Sequence, residues 1–188
     1  MTDLPARAVP DAARRTSPTR IEMVCTGNIC RSPMAEVILR ALLERGDASG
    51  SEGFGGVSVT SSGTGGWHVG DGADPRTVAA LARHGYDGSA HVASQFDART
   101  FSGLDLVLAA DSGHVRELRR LARRPEDAAK VRLLREFDPA AVAAGTLEVD
   151  DPWYGGTADF ERCLAEVEAA CRGVITHLGG SFGRAQVR

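Results

Sequence analysis

Apolar residues alternate along the chain between short continuous runs and longer stretches with helical spacing. The first run is Ile21-Glu22-Met23-Val24-Cys25, which predicts a short strand. A helical pattern follows at Met34, Val37, Ile38, Ala41 and Leu42. This pattern predicts a helix with Ser32 as its N-cap and Pro33 at its first helical position. The chain from Ile21 to Leu42 is therefore predicted to form a strand, a tight loop and a helix in that order.

The same alternation continues toward the end of the chain. Further strands are predicted at Val57 to Ser61, Leu104 to Ala110 and Val131 to Phe137. Further helices are predicted from Asp74-Pro75 to near Gly85, from Asp111 or Ser112 to about Ala122, and after Gly156. Strands that alternate with helices predict an α/β fold, in which helices cover both faces of a parallel sheet. Such sheets bind ligands at the carboxyl ends of their strands, where Cys25 lies.

Length and charge narrow the class of protein. A chain of 188 residues corresponds to a single domain. Its net charge of -3 argues against a nucleic-acid-binding protein, and its longest apolar runs are too short for a membrane span. Residues 1–19 hold three prolines without an apolar pattern and are predicted to be a flexible tail. We expect the domain to cover residues 20–180, followed by a short tail at 181–188, and the protein to be cytoplasmic because no signal peptide is recognisable.

Four cysteines fit neither a zinc site nor a disulfide framework. Cys25 and Cys30 lie near the start of the chain, whereas Cys163 and Cys171 lie in the last predicted helix. Neither pair has the spacing of a zinc ligand pair, and the chain is too poor in cysteine for a disulfide scaffold. No zinc site is therefore expected from the cysteines. Cys163 and Cys171 share the apolar helix face and are predicted to be packing residues.

The loop Cys25-Thr26-Gly27-Asn28-Ile29-Cys30-Arg31-Ser32 carries the chemistry that the sequence predicts. Its closure onto a helix start can direct backbone N–H groups inward to bind an anion. Gly27 and Asn28 tolerate unusual backbone angles, and the guanidinium of Arg31 matches two phosphoryl oxygens. A thiolate at Cys25, with Ser32 as hydrogen-bond donor, could attack a bound phosphoryl group. The alternative is a buried structural cysteine at a strand end.

Asp151 is the predicted general acid that would protonate the leaving group. It stands in Asp151-Pro152-Trp153-Tyr154, where the aromatic side chains could form a wall of the pocket. An Asp-Pro pair can also simply begin a turn before a helix. Asp138-Pro139 is a rival with the same dipeptide, but no aromatic pair follows it.

These two segments resemble the low-molecular-weight protein tyrosine phosphatases. The resemblance covers about Arg20 to Leu178 and rests on the loop from Cys25 to Glu36 and on Asp151-Pro152-Trp153-Tyr154-Gly155. It implies a single-domain open sheet of four parallel strands with helices on both faces and a phosphate-binding loop after the first strand. It also implies hydrolysis of phosphotyrosine in proteins through a phosphocysteine, without a metal or other cofactor. Cys25 would be the nucleophile, Arg31 the phosphate clamp and Asp151 the general acid and base.

The resemblance also implies roles for residues around these three. Ser61 and His91 would support the strained conformation of Asn28, although the spacing from His84-Gly85 to His91 is one residue longer than in the family. Cys30 would protect Cys25 by forming a disulfide with it after oxidation. The predicted substrate-binding residues are Thr26, Gly27, Asn28, Ile29, Cys30, Ser32, Trp67, Trp153 and Tyr154.

Three other functions remain to be compared with phosphotyrosine hydrolysis. Arsenate reductases of similar fold need further redox cysteines, yet residues 62–150 contain none. Protein-arginine phosphatases carry Thr at the position of Ile29. The apolar Ile29 favours a flat aromatic substrate in this chain. A module that binds phosphotyrosine without cleaving it would lack one of the three reactive residues. The expected partners are phosphotyrosine proteins, with neither nucleic acid nor membrane, and the expected state is a monomer or weak dimer.

Overall fold

The computed structural model describes residues 19–46 and 56–183, and within them one four-stranded sheet. Its strands are β1 (Thr19–Cys25), β2 (Val57–Gly63), β3 (Leu106–Ala109) and β4 (Val131–Leu133). They lie in the order β2-β1-β3-β4, and every neighbouring pair is parallel. The predicted α/β fold with four parallel strands is therefore confirmed. Apart from Thr19 and residues 181–183, the two predicted tails lie outside the described residues.

Six α-helices and two 3₁₀ segments connect and cover the strands in the described residues. The α-helices are α1 (Arg31–Arg45), α2 (Pro75–Arg83), α3 (Ser112–Leu121), α4 (Pro125–Ala129), α5 (Pro139–Ala144) and α6 (Thr157–Gly183). The 3₁₀ segments are Ala98–Gly103 and Leu134–Phe137. Within the described ranges, none of the helices is long and apolar enough to cross a membrane.

Both faces of the sheet are buried, which explains the continuous apolar runs of its strands. On one face, Met23 and Leu108 pack with the buried sides of α1 and α6. On the other face, Val24 and Val107 pack with Leu118 of α3. Helices therefore cover both faces, as the alternation of elements predicts.

Cys163 and Cys171 are completely buried in the core beneath α6, and burial raises the pKa of each thiol. This placement confirms that the two cysteines are packing residues.

Two local predictions are wrong. The fourth strand ends at Leu133 instead of Phe137, because the Glu136 side chain accepts a hydrogen bond from the Leu133 N–H at 3.1 Å and closes a 3₁₀ turn. Helix α1 begins at Arg31 after Cys30, so that Ser32 is not its N-cap. The Ser32 hydroxyl instead points toward Cys25, with 3.0 Å between Oγ and Sγ.

The topology brings distant parts of the chain together at the carboxyl edge of the sheet. Cys25 ends β1, and Asp111 follows β3, which is the neighbouring strand. The segment before α6 returns to the same edge, where the Val149 N–H donates to the Ala110 carbonyl at 2.8 Å. Asp151 is thereby placed close to the Cys25 loop.

Candidate active site

The Cys25 loop, residues 25–31, is fixed from outside by the segment that follows β2. The Cys25 carbonyl accepts a hydrogen bond from the Thr64 N–H at 2.8 Å, and the Thr26 carbonyl accepts one from the Gly65 N–H at 2.9 Å. A Cβ added at Gly63 would lie only 2.6 Å from the Thr26 carbonyl oxygen, so glycine permits this close approach.

Asn28 adopts a left-handed conformation with a φ of 57° and is completely buried. Its side-chain Nδ2 donates to Ser32 Oγ and to Ser61 Oγ, both at 2.9 Å. Its Oδ1 accepts a hydrogen bond from the Ser94 N–H at 2.8 Å. Left-handed angles are costly for residues other than glycine, and here a full set of hydrogen bonds maintains them. The contribution of Ser94 was missed, since no sequence pattern marks it.

His91 holds the same turn through the backbone. Its Nε2 donates to the Asn28 carbonyl oxygen at 2.7 Å, so this nitrogen carries a proton. Its Nδ1 lies 4.0 Å from Glu36 Oε2, and the same oxygen accepts a hydrogen bond from Ser61 Oγ at 2.6 Å. Ser61 and His91, the predicted supporting residues, therefore both contact Asn28.

Ser32 lies between the reactive thiol and Asn28. Its Oγ accepts the hydrogen bond from Asn28 Nδ2, which leaves the hydroxyl proton available to Cys25 Sγ at 3.0 Å or to the Ser62 carbonyl at 3.3 Å. A hydroxyl donor at this distance stabilises a thiolate in a buried site.

Arg31 is buried between two carboxylates. Its Nη1 donates to Asp111 Oδ2 at 2.9 Å, and its Nη2 donates to Asp151 Oδ2 at 2.7 Å. The Val149 carbonyl accepts a third hydrogen bond from Nη1 at 3.3 Å. Burial opposes the positive charge, but the charges of Cys25, Asp151 and Asp111 raise the pKa of the guanidinium above its ordinary value.

Asp111, which the sequence predicts only as a helix cap, is one of the two carboxylates that pair with Arg31. It does cap α3 by accepting the His114 N–H at 3.0 Å, and its Oδ1 also lies 3.0 Å from His114 Nδ1. His114 Nε2 in turn lies 2.8 Å from Thr26 Oγ1. Burial acts to raise the pKa of Asp111, but hydrogen bonds from His114 and the charge of Arg31 hold it far below its usual value. Its position directly after the strand predicted at Leu104 to Ala110 was the available signal.

A cavity of about 250 Å³ opens above the Cys25 loop. Cys25, Arg31 and Asp151 all line it, although 126 positions separate the first and last of them in the sequence. The other lining residues are Thr26, Gly27, Ile29, Cys30, Trp67, His68, Trp153 and Tyr154. Two predicted substrate-binding residues, Asn28 and Ser32, are absent from the lining and support the loop from behind. His68 was missed, and its position beside Trp67 was the available signal.

Exposed aromatic rings surround the mouth of this cavity. Trp67 is 78 % exposed and Tyr154 is 95 % exposed, whereas Trp153 is 38 % exposed. The His68 ring lies 6.0 Å from the Trp153 ring. Large aromatic side chains are rarely left this accessible in a cluster unless they bind a partner or ligand. The cavity is therefore suited to a flat aromatic group.

Cys30 is buried in the same loop, and burial raises its pKa to about 12. The Cys30 side chain is accordingly a neutral thiol at physiological pH, in the floor of the cavity. Among the residues that the structure describes, no group of three or more His, Cys, Asp or Glu side chains could hold a metal ion.

Comparisons with known proteins agree on one family. The family model described as low molecular weight phosphotyrosine protein phosphatase matches residues 20–182. A low molecular weight protein-tyrosine-phosphatase of Streptomyces coelicolor is 60% identical over 157 residues, which are 83% of this chain and 91% of that protein. Low molecular weight protein-tyrosine phosphatase A of Mycobacterium tuberculosis is 43% identical over 162 residues, which are 85% of this chain and 91% of that protein.

A solved structure leads to the same fold. The crystal structure of YfkJ from Bacillus subtilis superposes with a TM-score of 0.77 at 28% identity, covering 88% of this chain and 98% of that one.

Replacement of Asn28 tests how the loop conformation is maintained. Asn28→Ala should lower the free energy of unfolding by about 2 kcal/mol, because it loses the hydrogen bonds and because alanine tolerates a left-handed angle less well than asparagine. Asn28→Gly should lose about half as much, because glycine adopts that angle freely. Urea denaturation measures both values. An alanine variant as stable as the parent would show that the side-chain hydrogen bonds contribute nothing.

Proposed function

The chain belongs to the low molecular weight phosphotyrosine protein phosphatase family and is a protein tyrosine phosphatase, and from this premise we propose how its residues hydrolyse phosphotyrosine. The observation that supports the proposal best is the meeting of Cys25, Arg31 and Asp151 in one cavity. A thiol, a guanidinium and a carboxyl group are the three groups that cysteine-dependent phosphoryl transfer needs.

In the first step, the Cys25 thiolate attacks phosphorus. The S–P bond forms while the bond between phosphorus and the tyrosine oxygen breaks. Arg31 binds equatorial phosphoryl oxygens, together with backbone N–H groups of the Cys25 loop. Asp151 gives its proton to the leaving phenolate oxygen, so that neutral tyrosine departs. Ser32 stabilises the thiolate from below, consistent with the 3.0 Å between Oγ and Sγ.

In the second step, water hydrolyses the phosphocysteine. Asp151, now a carboxylate, takes a proton from the attacking water as the O–P bond forms and the S–P bond breaks. Inorganic phosphate and the Cys25 thiolate are the products. The same carboxyl group therefore acts first as an acid and then as a base, and returns to its protonated state for the next cycle.

Substrate binding requires a change of partner at Arg31. In the structure, Nη2 of Arg31 donates to Asp151 Oδ2 at 2.7 Å, although phosphoryl oxygens need the same donors. A bound phosphate would take this hydrogen bond and release the carboxyl group toward the leaving oxygen. Asp111 would keep its own hydrogen bond to Nη1 and hold the guanidinium in place. The half-exposed position of Asp151 allows such a shift.

Phosphotyrosine fits the cavity better than phosphoarginine does. Ile29 lines the floor, and the rings of Trp67, Trp153 and Tyr154 surround the mouth. These apolar surfaces favour a flat ring over a charged guanidinium group. We expect phosphotyrosine peptides to be cleaved much faster than phosphoserine or phosphoarginine peptides.

The partners are phosphotyrosine-containing proteins, with neither nucleic acid nor a membrane surface involved. We further propose that residues 20–180 are the catalytic domain and that the protein acts in the cytoplasm as a monomer or weak dimer. Four free cysteines, one of which must remain a thiol for catalysis, support a reducing compartment. A net charge of -3 supports the exclusion of nucleic acid.

Replacement of Asp151 tests the assignment of the general acid. Asp151→Ala should lower kcat/KM for phenyl phosphate by about 10²- to 10⁴-fold, but much less for 2,4-dinitrophenyl phosphate, whose leaving group needs no proton. Asp150→Ala is the matched control, because Asp150 is exposed and pairs only distantly with Arg162. Cys25→Ser should abolish turnover of both substrates. Equal losses on both substrates in Asp151→Ala would contradict the assignment.

Cys30 is proposed to protect the nucleophile from irreversible oxidation. After peroxide converts Cys25 to a sulfenic acid, the Cys30 thiol would attack it, form the disulfide and release water. We expect the parent enzyme to recover its activity with a thiol reductant after peroxide treatment, and Cys30→Ser to recover much less. The recovered fraction of initial rates measures this. Equal recovery in both proteins would exclude a protective role.

A further inference from the structure

One arginine outside the predicted site joins the loop that carries Asp151 to the loop that carries Cys25. Arg76 lies in the first turn of α2, and its Nη1 donates to the carbonyl oxygens of Trp153 and Gly155, both at 3.1 Å. These two carbonyls belong to the turn that follows Asp151. Backbone carbonyls in a loop that exposes its aromatic side chains would otherwise face water.

Asp74 fixes the guanidinium of Arg76 from the other side. Arg76 donates from its backbone N–H to Asp74 Oδ1 at 2.8 Å, from Nε to the same oxygen at 3.0 Å, and from Nη2 to Oδ2 at 2.8 Å. The hydrogen bonds from Arg76 lower the pKa of Asp74, even though burial acts in the opposite direction. The bidentate pair sets the plane of the guanidinium and leaves Nη1 free for the two carbonyls.

The same pair is joined to the Cys25 loop. The Asp74 N–H donates to the Ile29 carbonyl at 2.8 Å, so that the cap of α2 contacts the loop directly. The guanidinium also lies 4.6 Å above the Phe160 ring, which is completely buried at the start of α6. Contacts on three sides hold Arg76 in one position although its side chain is 41% exposed.

The carboxyl group of Asp151 is oriented by the residue that Arg76 holds. Asp151 Oδ1 accepts a hydrogen bond from the Trp153 N–H at 3.2 Å, and the Trp153 carbonyl is one of the two acceptors of Arg76 Nη1. A continuous path of hydrogen bonds therefore runs from Ile29 through Asp74, Arg76 and Trp153 to Asp151.

We propose that Arg76, paired with Asp74, is a positioning residue that sets the distance and orientation of Asp151 relative to the Cys25 loop. The inference rests on the proposed role of Asp151 as general acid and base. When a phosphate takes the place of Asp151 on Arg31, the carboxyl group loses its strongest fixed partner. Its link to Arg76 through Trp153 remains and keeps it at the leaving oxygen. Arg76 itself does not line the cavity and reaches the site through Trp153, which does.

The leaving-group dependence of kcat/KM separates positioning of the acid from a merely structural role. Arg76→Ala should lower kcat/KM by about 10- to 100-fold for phenyl phosphate and by less than about 3-fold for 2,4-dinitrophenyl phosphate. Arg76→Lys keeps the charge but cannot bind Asp74 and two carbonyls at once, so its loss should be intermediate. Thermal unfolding of each variant gives the change in stability.

Arg83→Ala is the matched control on the same helix. Arg83 lies at the other end of α2, where it pairs with Glu161 of α6. Within the described residues it makes no contact with residues 151–156, the segment that carries Asp151. This variant should keep the leaving-group dependence of the parent enzyme, even where its unfolding temperature falls.

A double-mutant cycle with Asp151→Ala provides the deciding comparison. If Arg76 acts through the acid, Arg76→Ala should change kcat/KM for phenyl phosphate by less than about 2-fold once Asp151 is absent. Equal losses from Arg76→Ala in both backgrounds, or equal losses on both substrates, would overturn the inference. If Asp151→Ala alone keeps the leaving-group dependence of the parent enzyme, the assignment of the acid is wrong instead. The two failures are therefore distinguishable.

Discussion

The buried guanidinium of Arg31 is the constraint on which the rest of the site depends. A buried charge is strongly destabilising unless it is paired and hydrogen-bonded. Asp111 and Asp151 supply the two carboxylates, and Val149 supplies a carbonyl oxygen. These groups come from the ends of different elements, and only the parallel order of the sheet brings them to one edge. In the proposed mechanism, the same positive charge binds the phosphoryl group.

The two carboxylates around Arg31 differ in what surrounds them. Asp111 is tied to His114 and to the start of α3, which keeps it in place and ionised. Asp151 is more exposed and is held through the backbone of a short aromatic loop. A fixed carboxylate can orient the guanidinium throughout the cycle, whereas a movable one can exchange its partner for the leaving oxygen. This difference gives two acidic residues separate tasks at one arginine.

The sequence predicts what depends on local pattern and misses what depends on pairing across the fold. Burial on both faces makes the strands continuous apolar runs, which the sequence shows directly. The residue types of the Cys25 loop likewise predict an anion-binding loop. Asp111 was assigned only as a cap, because nothing local indicates that β3 lies beside β1. Ser94 donates its backbone N–H, which any residue could do. The end of β4 at Leu133 depends on a hydrogen bond from its backbone to a side chain three residues away, which outweighs the apolar pattern.

In the proposed mechanism, the phosphoryl group passes through a covalent bond to Cys25. Rapid acid quenching of the enzyme during turnover of a ³²P-labelled phosphotyrosine peptide, followed by peptide mapping, tests it most directly. A phosphocysteine at residue 25 predicts one labelled peptide, which contains Cys25 and has the acid-base stability of a thiophosphate ester, and predicts no label in Cys25→Ser. Label on another residue, or no labelled protein when Asp151→Ala turns over ³²P-labelled 2,4-dinitrophenyl phosphate, whose leaving group needs no acid in the first step, would contradict it.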